Sequence, residues 1–189
     1  GSGEHRVIDQ FEVKVTDDGV GGEHKATGEG LLSIYAVDGD LVERGDGDDL
    51  IFDFGPDNDL SHIIQAGAGN DTINLGNTSN QNILVWEEGD ANSSAGSPAV
   101  DTIIDFTAGK EGDALDLRGL LDDLAGDSGK SAVDLVSFAL DGEGNTVINI
   151  AGAANPAQPV QQIVLQDVEL NYTNGSYEEL NQQILLITS

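Results

Sequence analysis

The chain has 189 residues, 35 acidic against 7 basic, for a formal net charge of −28. Nucleic acid is a poor partner for such a chain, because binding it needs clustered Lys and Arg, and an anionic membrane surface is disfavoured for the same reason. Cysteine is absent, which excludes disulfides, thiolate metal sites and cysteine nucleophiles.

Glycine is high, at 25 residues, about double the ordinary usage of ~7%. This favours a turn-rich, mainly β chain over a helical bundle. No apolar run reaches the ~18 residues of a membrane span. Gly1-Ser2-Gly3 reads as a cloning scar, methionine is absent, and no cleavable leader is recognisable, so the chain is expected to be a piece of a longer protein.

The first element is DQFEVKVT, 9–16, which alternates cleanly and places Phe11, Val13 and Val15 on one face of a strand. A Gly/Asp/Glu-rich connection covers 17–30, and LLSIYAV, 31–37, is a second strand. The rhythm then changes. Residues 44–52, RGDGDDLIF, and 66–74, AGAGNDTIN, each match all but the first position of G-G-x-G-x-D-x-U-x, where U is a large apolar residue. This nonapeptide winds a parallel β-roll and binds calcium.

Weaker turns fit the same frame. In 35–43 the aspartate and apolar places fall on Asp40 and Val42. In 57–65 they fall on His62 and Ile64. In 75–83 they fall on Asn80 and Asn82, so there the apolar place fails. An insertion, 53–56, separates the second turn from the third. Val42, Ile51, Ile64 and Ile73 are expected to stack inside the roll, and the period is lost after Asn82.

Beyond the repeats, 83–90 reads as a strand leaving the roll, 91–99 as a Ser/Gly/Ala-rich loop, and 101–106 as a strand. In ALDLRGLLDDLAG, Leu117, Leu120, Leu121 and Leu124 recur at helical spacing, which predicts a short amphipathic helix. Segments 135–140 and 145–150 flank DGEG as a hairpin. Residues 159–168 form a strand begun by Pro159. Ser176 and Glu179 stand at capping-box spacing before a second short helix, and ILLIT closes the chain. No linker divides the chain. Residues 4–189 are read as one domain: N-terminal strands 9–37, a β-roll 38–83 and a mixed β-rich cap 84–189 with one or two short helices.

Ten acidic residues and one basic residue, Arg44, lie between Asp38 and Asp71, interspersed with glycines rather than along a helix face. A halophile-type solubility surface would account for the charge alone; its distribution points to a cation. Calcium takes ~6–8 oxygen ligands in a flexible shell. Glycines let the loop turn sharply so that carbonyls point inward, and the sixth-position aspartate supplies charge. Loops two turns apart stack on one edge of a roll, which puts Asp49 and Asp71 together. The expected ligands are those two carboxylates and the carbonyls of Gly45, Gly47, Gly67 and Gly69, with Asp46 or Asp48 joining. The opposite edge would carry Asp40 and His62, and histidine is a poor calcium ligand. Two ordinary Asp/Gly turns are the structural alternative.

These repeats resemble the RTX proteins, calcium-binding proteins exported by bacterial type I secretion. The segments ILVWEEGD, AVDTIIDFTAGKEGDALDLRGLL, VSFALDGEGNTVINI, QQIVLQDVEL and NQQILLIT are similar to the C-terminal target domain of large RTX adhesins, so the likeness covers about 40–189. The resemblance implies further calcium ligands at Asp101, Asp113 and Asp116, and less firmly Asp105; as turn residues and a helix cap they would be structural. It departs from the family in having two good repeats and an insertion. It also implies secretion to the bacterial cell surface, a role in cell adhesion and biofilm, and partnership with the type I secretion machinery, as a monomeric domain of a longer chain without membrane insertion. The alternative function is a calcium-dependent module near the adhesin tip that binds a peptide or glycan of a target surface, with Trp86, Glu87, Glu88 and Asp90 as one place to look. An enzyme is not expected. His5, His24 and His62 form no metal-binding motif, and no nucleophile elbow or phosphate loop is present.

Overall fold

The computed structural model describes residues 9–14, 29–36, 41–52, 61–76, 80–91, 97–126, 129–152, 155 and 157–188. The connection 17–28, Val15, Asp40, the insertion 53–56, His5 and His24 lie outside the described residues.

The chain is mostly β, with two sheets and three short helices among the described residues. The strands are β1 (Asp9–Lys14), β2 (Glu29–Ala36), β3 (Leu41–Glu43), β4 (Leu50–Phe52), β5 (Ile63–Gln65), β6 (Thr72–Asn74), β7 (Ile83–Val85), β8 (Ala99–Ile104) and β9 (Gly109–Asp116). Helices α1 (Arg118–Ala125) and α2 (Ala132–Leu135) follow, then β10 (Val136–Leu140), β11 (Thr146–Ala151), β12 (Pro159–Leu165), α3 (Tyr177–Gln183) and β13 (Ile184–Ile187). One sheet runs β1-β2-β4-β6-β8-β12-β11-β10, the other β13-β9-β7-β5-β3.

From β2 to β9 successive strands alternate between the sheets, so each pairs in parallel with the strand two places along. Side chains of a strand alternate between faces, and in the three-residue strands β4 to β7 only the middle one is buried. The register therefore builds two apolar ladders. Ile51, Ile73, Ile103 and Leu165 stack in one sheet, and Ile64, Leu84, Leu115 and Leu186 in the other. All eight are buried and belong to one core cluster, which also takes in Trp86, Phe138, Ile148 and Leu180. Val42 shares the register of Ile64.

The tail extends both sheets. The antiparallel meander β10-β11-β12 returns alongside β8, and β13 lies beside β9. The amphipathic helix forms as α1, with Leu120 and Leu121 buried. At α3 the backbone N–H of Glu179 donates to Ser176 Oγ and the N–H of Ser176 donates to Glu179 Oε2, both at 3.3 Å.

Four expectations are corrected. The frame 75–83 is displaced: β5 and β7 pair Ile63 with Ile83 and Ile64 with Leu84, so Asn82 takes the aspartate place and Leu84 the apolar place. The stacking does not end there, because β8 and β9 continue both ladders. The period is hidden by longer connections between rungs, which cost little entropy once strand ends align. Residues 114–116, read as the start of a helix, are strand, since β7 and β13 pair with them from both sides. The third helix, α2, is one turn, started by Ser131, whose N–H donates to Asp134 Oδ2 at 3.0 Å.

The ladders set a stability contrast. Ile73→Ala is expected to lower unfolding free energy by about 2–5 kcal/mol, from lost burial and the cavity left behind. Ile63→Ala, at a residue 41% exposed, is expected to stay within ~0.5 kcal/mol. Chemical denaturation of both variants checks this; equal losses would contradict the alternation.

Candidate metal centre

The register of β4, β6 and β8 pairs Leu50 with Thr72 and Thr72 with Thr102. It thereby brings Asp49, Asp71 and Asp101, the residues just before them, into one line. The backbone N–H of Asp49 donates to Asp71 Oδ1 at 2.8 Å, and that of Asp71 donates to Asp101 Oδ1 at 2.9 Å. Each side chain thus supplies the acceptor that the sheet ladder lacks where loop becomes strand.

The preceding loops, 44–49 and 66–71, lie against each other. The N–H of Gly47 donates to the Ala68 carbonyl at 2.6 Å. Gly67 and Gly69 both have positive φ, at 89° and 150°, and a methyl group on either would collide with the carbonyl of Gly45 or Gly47 respectively. Glycine is needed here for backbone conformation and for close approach. Asp48 Oδ1 accepts from the backbone N–H and the side-chain amide of Asn70, at 2.8 and 3.0 Å. Asp46 is exposed and lines a shallow cleft of about 340 Å³ with Asn70 and Asp90.

Asp71 is 1% exposed, and its Oδ2 has no hydrogen-bond partner. Burial pushes its carboxyl up to about 7, and the neighbouring Asp101, Asp49 and Asp48 add to the effect against the bond from the Asp49 N–H. Burial also raises Asp49, with Asp48 adding and Arg44 opposing. Asp101 is raised by burial to about 6, moderated by the donors it accepts. Those include Trp86 Nε1 at 2.7 Å and Gln161 Nε2 at 2.8 Å, both on Oδ2.

The opposite edge repeats the geometry with other residues. The N–H of His62 donates to Asn82 Oδ1 at 3.0 Å, and that of Asn82 to Asp113 Oδ1 at 2.8 Å. Asp113 Oδ2 accepts from the Thr107 N–H at 2.7 Å. Asp113 therefore shares no line with Asp101. Asp116 pairs with Arg118 through two bonds, at 2.6 and 2.9 Å, and the guanidinium holds its carboxyl below the usual range. Asp105 is an exposed turn residue with φ 63°.

The structure thus brings together Gly45, Gly47, Asp48, Asp49, Gly67, Gly69 and Asp71, with Asp101 one rung beyond. Asp113 and Asp116 lie elsewhere with partners of their own. Among the described residues no group of three or more His, Cys, Asp or Glu side chains could hold a metal, so a cation at this edge would rely on loop carbonyls beside the carboxylates. Trp86, at 2% exposure, is core and offers no ring to a surface ligand. Sequence reasoning missed Gln161 as a partner of this edge. Its signal was a glutamine at an inward position of β12, in line with Ile163 and Leu165.

No protein-family model matches the chain, and no curated protein matches it. Among the described residues no helix is long and apolar enough to cross a membrane.

The raised carboxyls carry a pH consequence. Unfolded aspartates titrate near ~3.9, so between there and the folded value of Asp71, about 7, the folded state holds more protons. Stability without metal is therefore highest at low pH within this window and falls as pH rises through it. In chelator, melting is expected to occur at a higher temperature at about pH 5 than at about pH 8. General charge repulsion acts in the same direction, so Asp71→Asn, which removes this one titration, is expected to narrow the gap. An unchanged gap in the variant would contradict the assignment.

Proposed function

We propose that this chain is the calcium-dependent C-terminal region of a bacterial RTX adhesin, exported by type I secretion and folding on extracellular calcium. The observation that carries the reading is the buried Asp71 carboxylate, one oxygen bound in the ladder and the other without a partner, beside a stack of glycine loops. A buried, unpaired carboxylate is costly unless it is neutralised or coordinates a metal. The residues present fit a hard dication. The carboxylates of Asp49 and Asp71 and the carbonyls of Gly45, Gly47, Gly67 and Gly69 would hold it, with Asp46 and Asp48 on the same loop. Calcium would supply charge neutralisation and an oxygen-seeking tie between the two loops. The other carboxylates suggested by the family likeness, Asp101, Asp113 and Asp116, are engaged by protein donors, which favours structural roles for them.

The alternation of β2 to β9 between two sheets supports the parallel β-roll reading, continued by a β-rich cap. The export logic follows from charge. A chain at −28 repels itself when compact, and the loop carboxylates have little to gain from folding at low cytoplasmic calcium. Low-affinity sites fill at roughly millimolar external levels, and the binding free energy then becomes folding free energy. Folding outside the cell would oppose backsliding and close the distal end of the adhesin.

Melting with calcium and with EGTA tests the reading, and equal melting temperatures would sink it. Asp71→Ala is expected to weaken calcium binding by at least about tenfold, as loss of a buried charged ligand should, while Asp123→Ala, on the exposed face of α1, leaves it unchanged in isothermal titration.

A second reading, a calcium-dependent module that holds a peptide or glycan, rests on the cleft between Asp46, Asn70 and Asp90, which adjoins the loop 66–71. A glycan and peptide array probed in calcium and in EGTA decides it: calcium-dependent capture lost in Asp46→Ala supports it, and no capture removes it.

A further inference from the structure

We infer that Asp101 is a positioning residue that couples cation binding at Asp71 to strand β12 and to Trp86; the inference rests on the calcium reading above. Its carboxylate is 1% exposed and accepts three N–H donors from three parts of the fold. Oδ1 takes the backbone N–H of Asp71, at the loop entering β6. Oδ2 takes Trp86 Nε1, just after β7 of the other sheet, and Gln161 Nε2 of β12.

Bonds to an ionised acceptor in a buried setting are about twice as strong as neutral ones, so this carboxylate ties both sheets and the returning meander to one point. The tie also fixes the acceptor geometry behind Asp71, because the peptide that carries the Asp71 side chain hangs on Asp101 Oδ1. Gln161 Oε1 is buried and has no hydrogen-bond partner. Its amide is thus oriented by what its nitrogen donates to, chiefly Asp101, with a longer bond at 3.3 Å to the Gln162 carbonyl. The contact to Asp101 is the shorter of the two that this amide makes.

Coupling between two sites is reciprocal. If the Asp101 network sets where Asp71 stands, then ordering Asp71 by a bound cation must tighten Trp86 and Gln161 in turn. Trp86 is the only tryptophan, so its emission reports on that bond.

The test is a calcium titration of the full chain, read in parallel by isothermal titration and by tryptophan emission, with melting in EGTA as the structural control. In the wild type the emission is expected to change with the same midpoint as the heat. Asp101→Asn keeps an oxygen for the Asp71 N–H but turns an amide NH2 toward Trp86 and Gln161, and is expected to weaken calcium binding roughly tenfold, within the usual range for site coupling. Gln161→Ala removes one donor and leaves the carboxylate. It is expected to weaken binding about threefold, the worth of one modest hydrogen bond, and it decides the matter if Asp101→Asn does not fold. Calcium binding without an emission change, or a Gln161→Ala protein that melts earlier in EGTA yet binds calcium as the wild type does, overturns the coupling and leaves the calcium reading standing. No calcium binding by the wild type overturns both.

Discussion

The structure depends on how a short loop enters a short strand. A three-residue strand makes few ladder bonds, and the residue just before it has a backbone N–H with no carbonyl opposite. A buried orphan N–H is costly. In this chain a side-chain oxygen one rung away fills that role on both edges, through Asp71 and Asp101 on one and Asn82 and Asp113 on the other. The side chain must be short and must carry an acceptor, a demand that Asp and Asn meet at all four places here. Once that bond is set, the residue two positions on points inward, and the isoleucine and leucine ladders follow from the pleat. The polar lines and the apolar ladders are thus two consequences of one register.

That dependence explains which parts were legible in the sequence. Asp49 and Asp71 could be aligned because their loops carry the glycines of the repeat and both are followed two residues later by isoleucine. The alternation in β1, the helical spacing around Leu120 and the capping residues of α3 are local signals, and each produced its element. Asn82 was misplaced because its turn keeps only Gly76 of the repeat's glycines, leaving the frame to be counted at nine residues when the connection is longer. Asp113 was grouped with Asp101 by family likeness, yet the alternation of strands sends β8 and β9 to different sheets and the two residues to different edges. Sequence alone does not reveal that parity once connections vary in length.

The donors on Asp101 were illegible for another reason. Trp86 and Gln161 are 15 and 60 residues away from it in sequence. Nothing local marks such a contact except a polar residue at a position that the strand period assigns to the core. Gln161 is such a residue. A glutamine that breaks an inward row of Ile163 and Leu165 is a demand for a buried partner, and on the β8 side its strand neighbours run from Ala99 to Ile103. Only Asp101 and Thr102 in that stretch carry acceptor side chains, and Thr102 shares the intermediate exposure of the outward row.

The two edges also act as an internal control on what the charge is for. Asn82 and Asp71 stand in equivalent places and make the same bond, one oxygen accepting a neighbouring N–H at 3.0 or 2.8 Å. An amide therefore suffices for the ladder. Both second atoms are buried without a partner, Nδ2 on Asn82 and Oδ2 on Asp71, yet the penalty is unequal. An unpaired amide nitrogen forfeits a hydrogen bond, whereas an unpaired carboxylate oxygen keeps a negative charge from water beside three more carboxylates, Asp101, Asp49 and Asp48. Protonation of Asp71 near neutral pH relieves that one charge alone. A cation shared by Asp49 and Asp71 would offset both charges, and the edge where glycine lets loop carbonyls close in is the one that could supply its remaining oxygens. The charge at Asp71 exceeds what folding geometry asks of that position, and the glycine loops stand on the side where the excess is. Carboxylate and cradle coincide on one edge, and this coincidence, more than the number of acidic residues, is what favours the calcium reading.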